Sequence, residues 1–169
     1  EKRHGKPYLI NEKSSFAITE AFRNLKVSLS VSIPRSEGEQ KGVSLLCCSS
    51  FPAEGKTTVS INLALMFAQS GQNPKVVLVD TDLRAGRISK AFKLHHAPGL
   101  SDFLSGLATF EEVLQPSGVN DNLFIITRGT QSPRPYELLD SQAFSDLHEK
   151  LLENFDYVLF DSAPFRLVP

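Results

Sequence analysis

With 169 residues, 41% of them hydrophobic, the chain has the length and core material of a single domain, 1–169. A net charge of −1 and a pI near 6.5 exclude the basic footprint of nonspecific nucleic-acid binding, and no Lys/Arg run marks an anionic membrane surface. The apolar runs are far too short to span a bilayer, no signal peptide is evident, and the start at Glu1-Lys2-Arg3 in place of Met is expected to reflect trimming.

In chain order, residues 1–13 read as a polar lead-in. Ser14 or Ser15 is placed to cap a helix over 14–31, with Ile18, Phe22, Leu25 and Leu29 at the spacing of a buried stripe. Residues 32–42, with Pro34, Gly38 and several charges, form a surface connection. Val43 to Cys48 reads as a strand, Thr58 to Ala68 as a helix apolar nearly all round, and Gly71 suits its left-handed cap. Val76 to Asp80 is a second strand, 88–115 short helical pieces, and Leu123 to Ile126 a third strand. A helix over Ser141 to Asn154 then leads to a last strand, Tyr157 to Asp161. Continuous apolar runs this short suit strands buried on both faces of a parallel sheet. The alternation of strand and helix predicts an α/β fold: a doubly wound, mostly parallel sheet with helices on both faces and a core over 42–164. Cys47 and Cys48 fall in a strand predicted to be buried, with side chains on opposite faces, so a reduced cytoplasmic setting is the simple reading.

The stretch from Ser49 to Thr58, S-S-F-P-A-E-G-K-T-T, stands between a strand and a helix and contains Gly55-Lys56-Thr57. In that context it reads as a phosphate loop, in which backbone N–H groups and the helix N-terminus cradle anions. Ser50, Pro52, Ala53, Glu54, Gly55, Lys56, Thr57 and Thr58 are the expected cofactor-binding residues. Lys56 would reach the β- and γ-phosphates, and the Thr57 hydroxyl would ligate Mg²⁺. The first glycine of the usual pattern is Ser50 here, and the plain alternative is an ordinary strand-to-helix turn. Asp80 and Asp161 end their strands and Asp82 follows two residues later, so the three carboxylates would gather where ligands of such sheets bind. With Thr57 they make a candidate Mg²⁺ site; any one Asp taken alone could merely end a strand or cap a helix.

Five motifs in this order resemble those of the bacterial protein-tyrosine kinases of capsule and exopolysaccharide synthesis. The loop keeps the family's S-S-x-P-G-E-G-K-S/T except for Ala53, which matters if that residue needs φ > 0. Asp80-Thr81-Asp82-Leu83-Arg84 matches the family's D-x-D-x-R, and Phe155-Asp156-Tyr157 through Asp161-Ser162-Ala163-Pro164 its third acidic motif. Gly129 to Ser141 matches a proline-rich fourth stretch, with Ser132 and Arg134 as substitutions, and Glu20, Arg23 and Lys26 an E-x-x-R-x-x-R helix. Ala163 replaces a proline, and Gly86 stands near where the family often has one.

The resemblance implies transfer of the γ-phosphoryl group of ATP to tyrosine, with Mg²⁺ as cofactor and Lys56, Asp80 and Asp82 as catalytic residues. Asp82 is the first candidate to accept or orient the phenol proton, with Asp80 close behind. Arg84 or Arg87 could touch phosphate or substrate, or be solvated loop arginines. Glu20, Arg23 and Lys26 would form the contact of a homo-oligomeric ring that presents each protomer's tyrosine tail to its neighbour in trans; read alone, they are an i,i+3 charge series. The Gly129 to Pro135 loop admits ring or nucleotide contacts equally with an exposed turn.

Further implied are a cytoplasmic location at the inner face of the membrane and a transmembrane chain-length regulator whose cytoplasmic tail completes the site. The family continues beyond this point with more strands and a tyrosine-rich tail. A C-terminally truncated catalytic domain with an exposed sheet edge and impaired activity is therefore expected, since only Tyr8, Tyr136 and Tyr157 are present. Two alternatives share the fold: a partitioning-type switch ATPase, whose loop carries a lysine where this chain has Phe51, and a nucleotide-binding scaffold without transfer.

Overall fold

The computed structural model describes residues 9–10, 14–33 and 42–165. The polar lead-in, apart from Leu9 and Ile10, and most of the 32–42 connection lie outside these. The elements are α1 (Phe16–Ser32), β1 (Val43–Cys47), α2 (Lys56–Ala68), β2 (Val76–Asp80), α3 (Ile88–Phe92) and α4 (Leu100–Leu104). They continue as α5 (Phe110–Val113), β3 (Leu114–Pro116), β4 (Leu123–Ile126), α6 (Pro135–Leu139), α7 (Gln142–Asn154) and β5 (Tyr157–Asp161).

One five-stranded sheet runs in the order β1-β5-β2-β4-β3, with β1, β5, β2 and β4 parallel and β3 antiparallel to β4. The two runs ending in Asp become the innermost strands, β5 and β2, each buried at every position. Their side chains alternate between two cores. Val76, Leu78, Tyr157 and Leu159 pack with Ile61, Leu65 and Phe67 of α2 on one face. Val77, Val79, Val158 and Phe160 pack with Leu147 and Leu151 of α7 and Leu100 of α4 on the other. The rings of Phe67 and Tyr157 stack with centroids 4.1 Å apart. The doubly wound expectation therefore describes the architecture, and register does the rest: Asp80 lies directly beside Asp161 across the β2–β5 pair.

Several expectations need correction. The α1 stripe is not buried: Ile18 is 44% and Leu25 38% exposed, Phe22 and Leu29 are half-buried, and no residue of α1 is fully enclosed. The helix caps at Ser15 as expected, whose side chain accepts from Ile18 N at 3.4 Å. It lies across the outside of α2 and not on the sheet, so a helix-period pattern finds only half a partner. The strand expected to bury both cysteines is an edge strand of alternating burial; Cys47 is half-buried, and Cys48 lies beyond its end and is exposed. Leu46 on that edge is 61% exposed.

Gly71 is not the left-handed residue after α2. The helix ends at Gln69, and the positive φ, +49°, falls on Asn73. β3 was expected to be helical; three residues are too few for a periodic signal, and its Pro116 is tolerated because the strand is at an edge. Finally, α6 begins at the last residue of the expected Gly129 to Pro135 loop, with Pro135 at its first position, and runs through residues assigned no element from the sequence.

Candidate nucleotide-binding site

The segment between β1 and α2 is a tight loop held by its own side chains. Ser49 Oγ donates to Phe51 O at 3.1 Å, and Phe51 N donates to Glu54 Oε2 at 3.0 Å. Ala53 and Gly55 both have left-handed φ, +64° and +91°, and the α2 helix begins immediately after, at Lys56. Glycine takes such a conformation freely; alanine takes it under strain. Ser50, Pro52, Ala53, Glu54 and Gly55 are exposed, whereas Lys56, Thr57 and Thr58 are partly buried at the start of α2. An exposed loop with left-handed residues running into a helix N-terminus is the backbone form that offers N–H groups to an anion.

Behind the loop sit the acids. Lys56 Nζ is 3.9 Å from Asp161 Oδ1, with side chains 9% and 1% exposed. Ser60 Oγ lies 2.7 Å from the same oxygen and 2.9 Å from Lys56 O, so its single hydroxyl proton is shared between these two acceptors. Burial raises the Asp161 carboxyl above its ordinary range; hydrogen bonds from Thr57 and Ser60 and the Lys56 charge oppose that rise. Asp80 is more extreme. Enclosure, then the neighbouring Asp161 charge, push it well above the usual carboxylate range; the Ile88 N–H, donating to Oδ2 at 3.2 Å, and the Asp82 backbone N–H oppose this. Its Oδ1 is buried without a hydrogen-bond partner.

Asp82 is partly exposed and accepts from Ala85 N at 3.0 Å, while Gly86 N donates to Asp82 O at 2.7 Å. This turn brings Gly86 against Asp80: a Cβ there would stand 2.6 Å from the Asp80 Cγ. Lys56, Thr57, Asp80, Asp82 and Asp161 thus collect at the C-terminal ends of β2 and β5 and the start of α2, as a ligand site in a parallel sheet requires.

An orphaned buried carboxylate oxygen beside a second buried carboxylate fits a hard divalent cation. Among the described residues no group of three or more His, Cys, Asp or Glu is gathered to enclose a metal.

Glu20, Arg23 and Lys26 lie elsewhere, on α1, where Glu20 and Arg23 form an i,i+3 ion pair. They are not part of the acidic cluster. Arg84 stacks over the Tyr136 ring at 4.6 Å and its carbonyl accepts from Arg128 Nη1 at 3.0 Å. Arg134 pairs with Glu137 at 3.1 Å on the surface.

Three contributors, Ser60, Ile88 and Asp102, escape the motif reading, and a fourth, Gly86, entered it only as a departure from the family's proline. Ser60, one helical turn after Lys56, could have been found from its i,i+4 spacing. Gly86 and Ile88 form the wall around Asp80 through backbone atoms and leave no side-chain signal. Asp102 anchors the Gly129 to Pro135 loop, its Oδ2 accepting from Gly99 N at 2.8 Å and Thr130 N at 3.0 Å.

A glycine-lysine-threonine loop feeding a helix, beside carboxylates ending the central parallel strands, defines a phosphate-loop nucleotide-binding α/β domain. Over residues 53–168 the chain matches the AAA domain family. The tyrosine-protein kinase CpsD of Streptococcus pneumoniae is 42% identical over 118 residues, 69% of this chain and 51% of that protein. CapB of Staphylococcus aureus is 31% identical over 162 residues, 96% of this chain and 68% of that protein. The kinase domain of the Escherichia coli tyrosine kinase ETK superposes with a TM-score of 0.78 at 34% identity, covering 86% of this chain and 55% of that one. The chain belongs to the AAA domain family and, within it, to the bacterial tyrosine-protein kinases. It spans about half the length of CpsD.

Proposed function

We propose that this chain carries the nucleotide-binding part of an ATP-dependent protein-tyrosine kinase that regulates capsular or exopolysaccharide synthesis and export. The observation that carries the reading is the shared end of β2, β5 and α2, where Lys56, Asp161 and Asp80 stand together behind a left-handed phosphate loop. Family membership supplies the transferase class.

In this reading the loop amides and Lys56 hold the β- and γ-phosphates of ATP. Lys56 leaves its 3.9 Å pairing with Asp161 to do so, and Ser60 keeps Asp161 satisfied meanwhile. Thr57, Asp80, Asp82 and Asp161 would hold Mg²⁺, directly or through its waters. When bound, Mg²⁺ neutralises charge on the transferring phosphoryl oxygens. Asp82 accepts or orients the proton of the attacking phenol, whose unperturbed pKa is about 10. Its partial exposure supports that assignment over the enclosed Asp80.

No helix among the described residues is long and apolar enough to cross a membrane. The proposed place is the inner face of the cell membrane, beside a transmembrane activator, fused or separate, whose cytoplasmic tail completes the site. The homo-oligomeric ring, with Glu20, Arg23 and Lys26 at its contact and a tyrosine tail acting in trans, belongs to the same proposal.

The test uses the full-length protein with Mg-ATP and the activator tail, mapping phosphotyrosine by mass spectrometry in wild type, Lys56→Met and Asp82→Asn. Tyrosine phosphate in the wild type, lost in both variants, is the expected result. ATP hydrolysis without phosphotyrosine would make the chain a switch ATPase, and neither activity a scaffold.

A further inference from the structure

Beside the acids, on the side away from the phosphate loop, lies a second site that the proposed chemistry leaves unused. The segment after β2, helix α3 and the end of β4 enclose a cavity of about 700 Å³. Arg84, Arg87, Lys90, Lys93, His96 and Arg128 line it, and no Asp or Glu does. In a chain with Lys+Arg 18 against Asp+Glu 19 a surface of mixed sign is the ordinary outcome, so this concentration is a local feature of the fold.

The cations are held there by backbone geometry. Arg87 is the N-cap of α3, Lys90 stands within it, and Lys93 follows as its left-handed C-cap, φ +57°. The His96 carbonyl accepts from Gly129 N at 2.9 Å and Thr127 Oγ1 at 3.0 Å, which fastens this segment to the end of β4. Arg128 is fixed by its bond to the Arg84 carbonyl, and its Nε is buried without a partner. Among the described residues no carboxylate pairs with Arg87, Lys90, Lys93 or Arg128.

Position says which reactant the cavity serves. The phosphate loop leaves β1, whereas the cavity sits over the ends of β2 and β4, the latter three strands away in the order β1-β5-β2-β4. At ~4.8 Å per strand that is roughly 14 Å, with Asp80 and Asp161 in between. Gly86 is shared: it lines the cavity and also backs onto the Asp80 carboxylate. Lys56 serves the donor side of the acids, and the basic cavity lies on the other side, where an acceptor must approach.

We propose that this cavity is the docking site for an anionic acceptor segment, in which carboxylates or phosphates flanking the accepted tyrosine are bound by Arg87, Lys90, Lys93 and Arg128. The inference rests on the kinase reading and adds the substrate class. Asp80 and Asp82 by themselves repel an acidic peptide, and the adjoining cations offset that repulsion and set its direction of approach.

The test separates docking from transfer by using non-transferable peptides on nucleotide-free full-length protein at low salt. Three fluorescent peptides carry Phe in place of Tyr, flanked by Glu, Gln or Lys, and binding is read by anisotropy. The Glu peptide is expected to bind about tenfold tighter than the Gln peptide and to weaken as salt rises. Lys90→Glu with Lys93→Glu, both on exposed positions, should abolish that preference and turn it toward the Lys peptide. Thermal melting confirms that the variant is folded, and the milder Arg87→Gln should weaken the Glu peptide alone. With the corresponding tyrosine peptides, the double variant should raise KM while kcat holds. Equal affinity for all three peptides, or an acid preference that survives the double variant, overturns the proposal. So does a wild type that binds anionic lipid vesicles but not the Glu peptide. The binding readouts do not depend on phosphoryl transfer, so failure of the kinase reading is seen separately, in the turnover of the tyrosine peptides.

Discussion

Replacing Ala53 with glycine should stabilise the protein, against the usual direction for a substitution to glycine. Ala53 stands at φ +64°, where an L side chain brings Cβ against the following carbonyl at a cost of about 1–2 kcal/mol. Glycine removes that cost but adds about 0.4–1 kcal/mol of backbone freedom to the unfolded chain. The residue is exposed, so its methyl contributes little packing to set against the change. The difference is a gain of about 0.5–1 kcal/mol, or roughly 1–4 °C in Tm for a chain of this size. Urea unfolding followed by circular dichroism reads it directly, with Ala53→Val as the opposite arm because a β-branched residue is worse at positive φ. Affinity for Mg-ADP should stay within about twofold, since glycine keeps the same loop conformation available. A Gly variant less stable than the parent by more than about 0.5 kcal/mol would refute the reasoning and show that the loop does not depend on a left-handed residue there.

Gly86→Ala places a methyl within 2.6 Å of the Asp80 Cγ, so it should destabilise by about 1–3 kcal/mol and depress phosphotransfer by displacing that carboxylate. Paired urea and kinase assays check this, and a silent substitution would mean the turn is not packed on Asp80. Asp80→Asn should raise Tm near neutral pH while abolishing turnover. The Asp80 pKa is raised in the folded state, so its contribution to stability is fully present below the unfolded value of about 3.9 and is lost as pH climbs through the folded value. The variant should lack that loss, and parallel melting curves across pH would count against it. Asp102 behaves oppositely. Burial raises its carboxyl, but hydrogen bonds from Thr130 and Gly99 outweigh this and hold it below the ordinary range. Its contribution is present above about pH 3.9 and is lost as pH falls through the folded value. Asp102→Ala, which leaves the Gly99 and Thr130 donors unpaired, should cost about 2–3 kcal/mol at pH 7 by urea titration.

The core of the site was readable because its parts are local. Gly55-Lys56-Thr57 is contiguous, and strands enclosed on both faces must be apolar throughout, so the runs ending at Asp80 and Asp161 announced themselves. Alternation of such runs with helical stretches was enough for a doubly wound α/β sheet. The α1 stripe misled because periodicity records which residues could be buried and says nothing of how much partner surface reaches them. The run ending in Cys47 and Cys48 misled for the same reason, since the edge position of β1 leaves it half uncovered and Cys48 falls past its end.

What the amino-acid sequence determined by itself was the inventory: a phosphate loop, three candidate carboxylates and the elements that carry them. Tertiary structure decided their relations. Strand register set Asp80 beside Asp161 in the buried centre of the sheet; burial above all pushes both carboxyls upward, and the Asp161 charge adds to the rise at Asp80. The fold turned Lys56 and Ser60 onto the same Asp161 oxygen and closed Gly86 over Asp80. It also drew cations from three separate segments into one cavity without a counter-ion among the described residues. Each of these depends on distances between residues remote in the chain, and such distances exist only once the sheet has chosen its strand order.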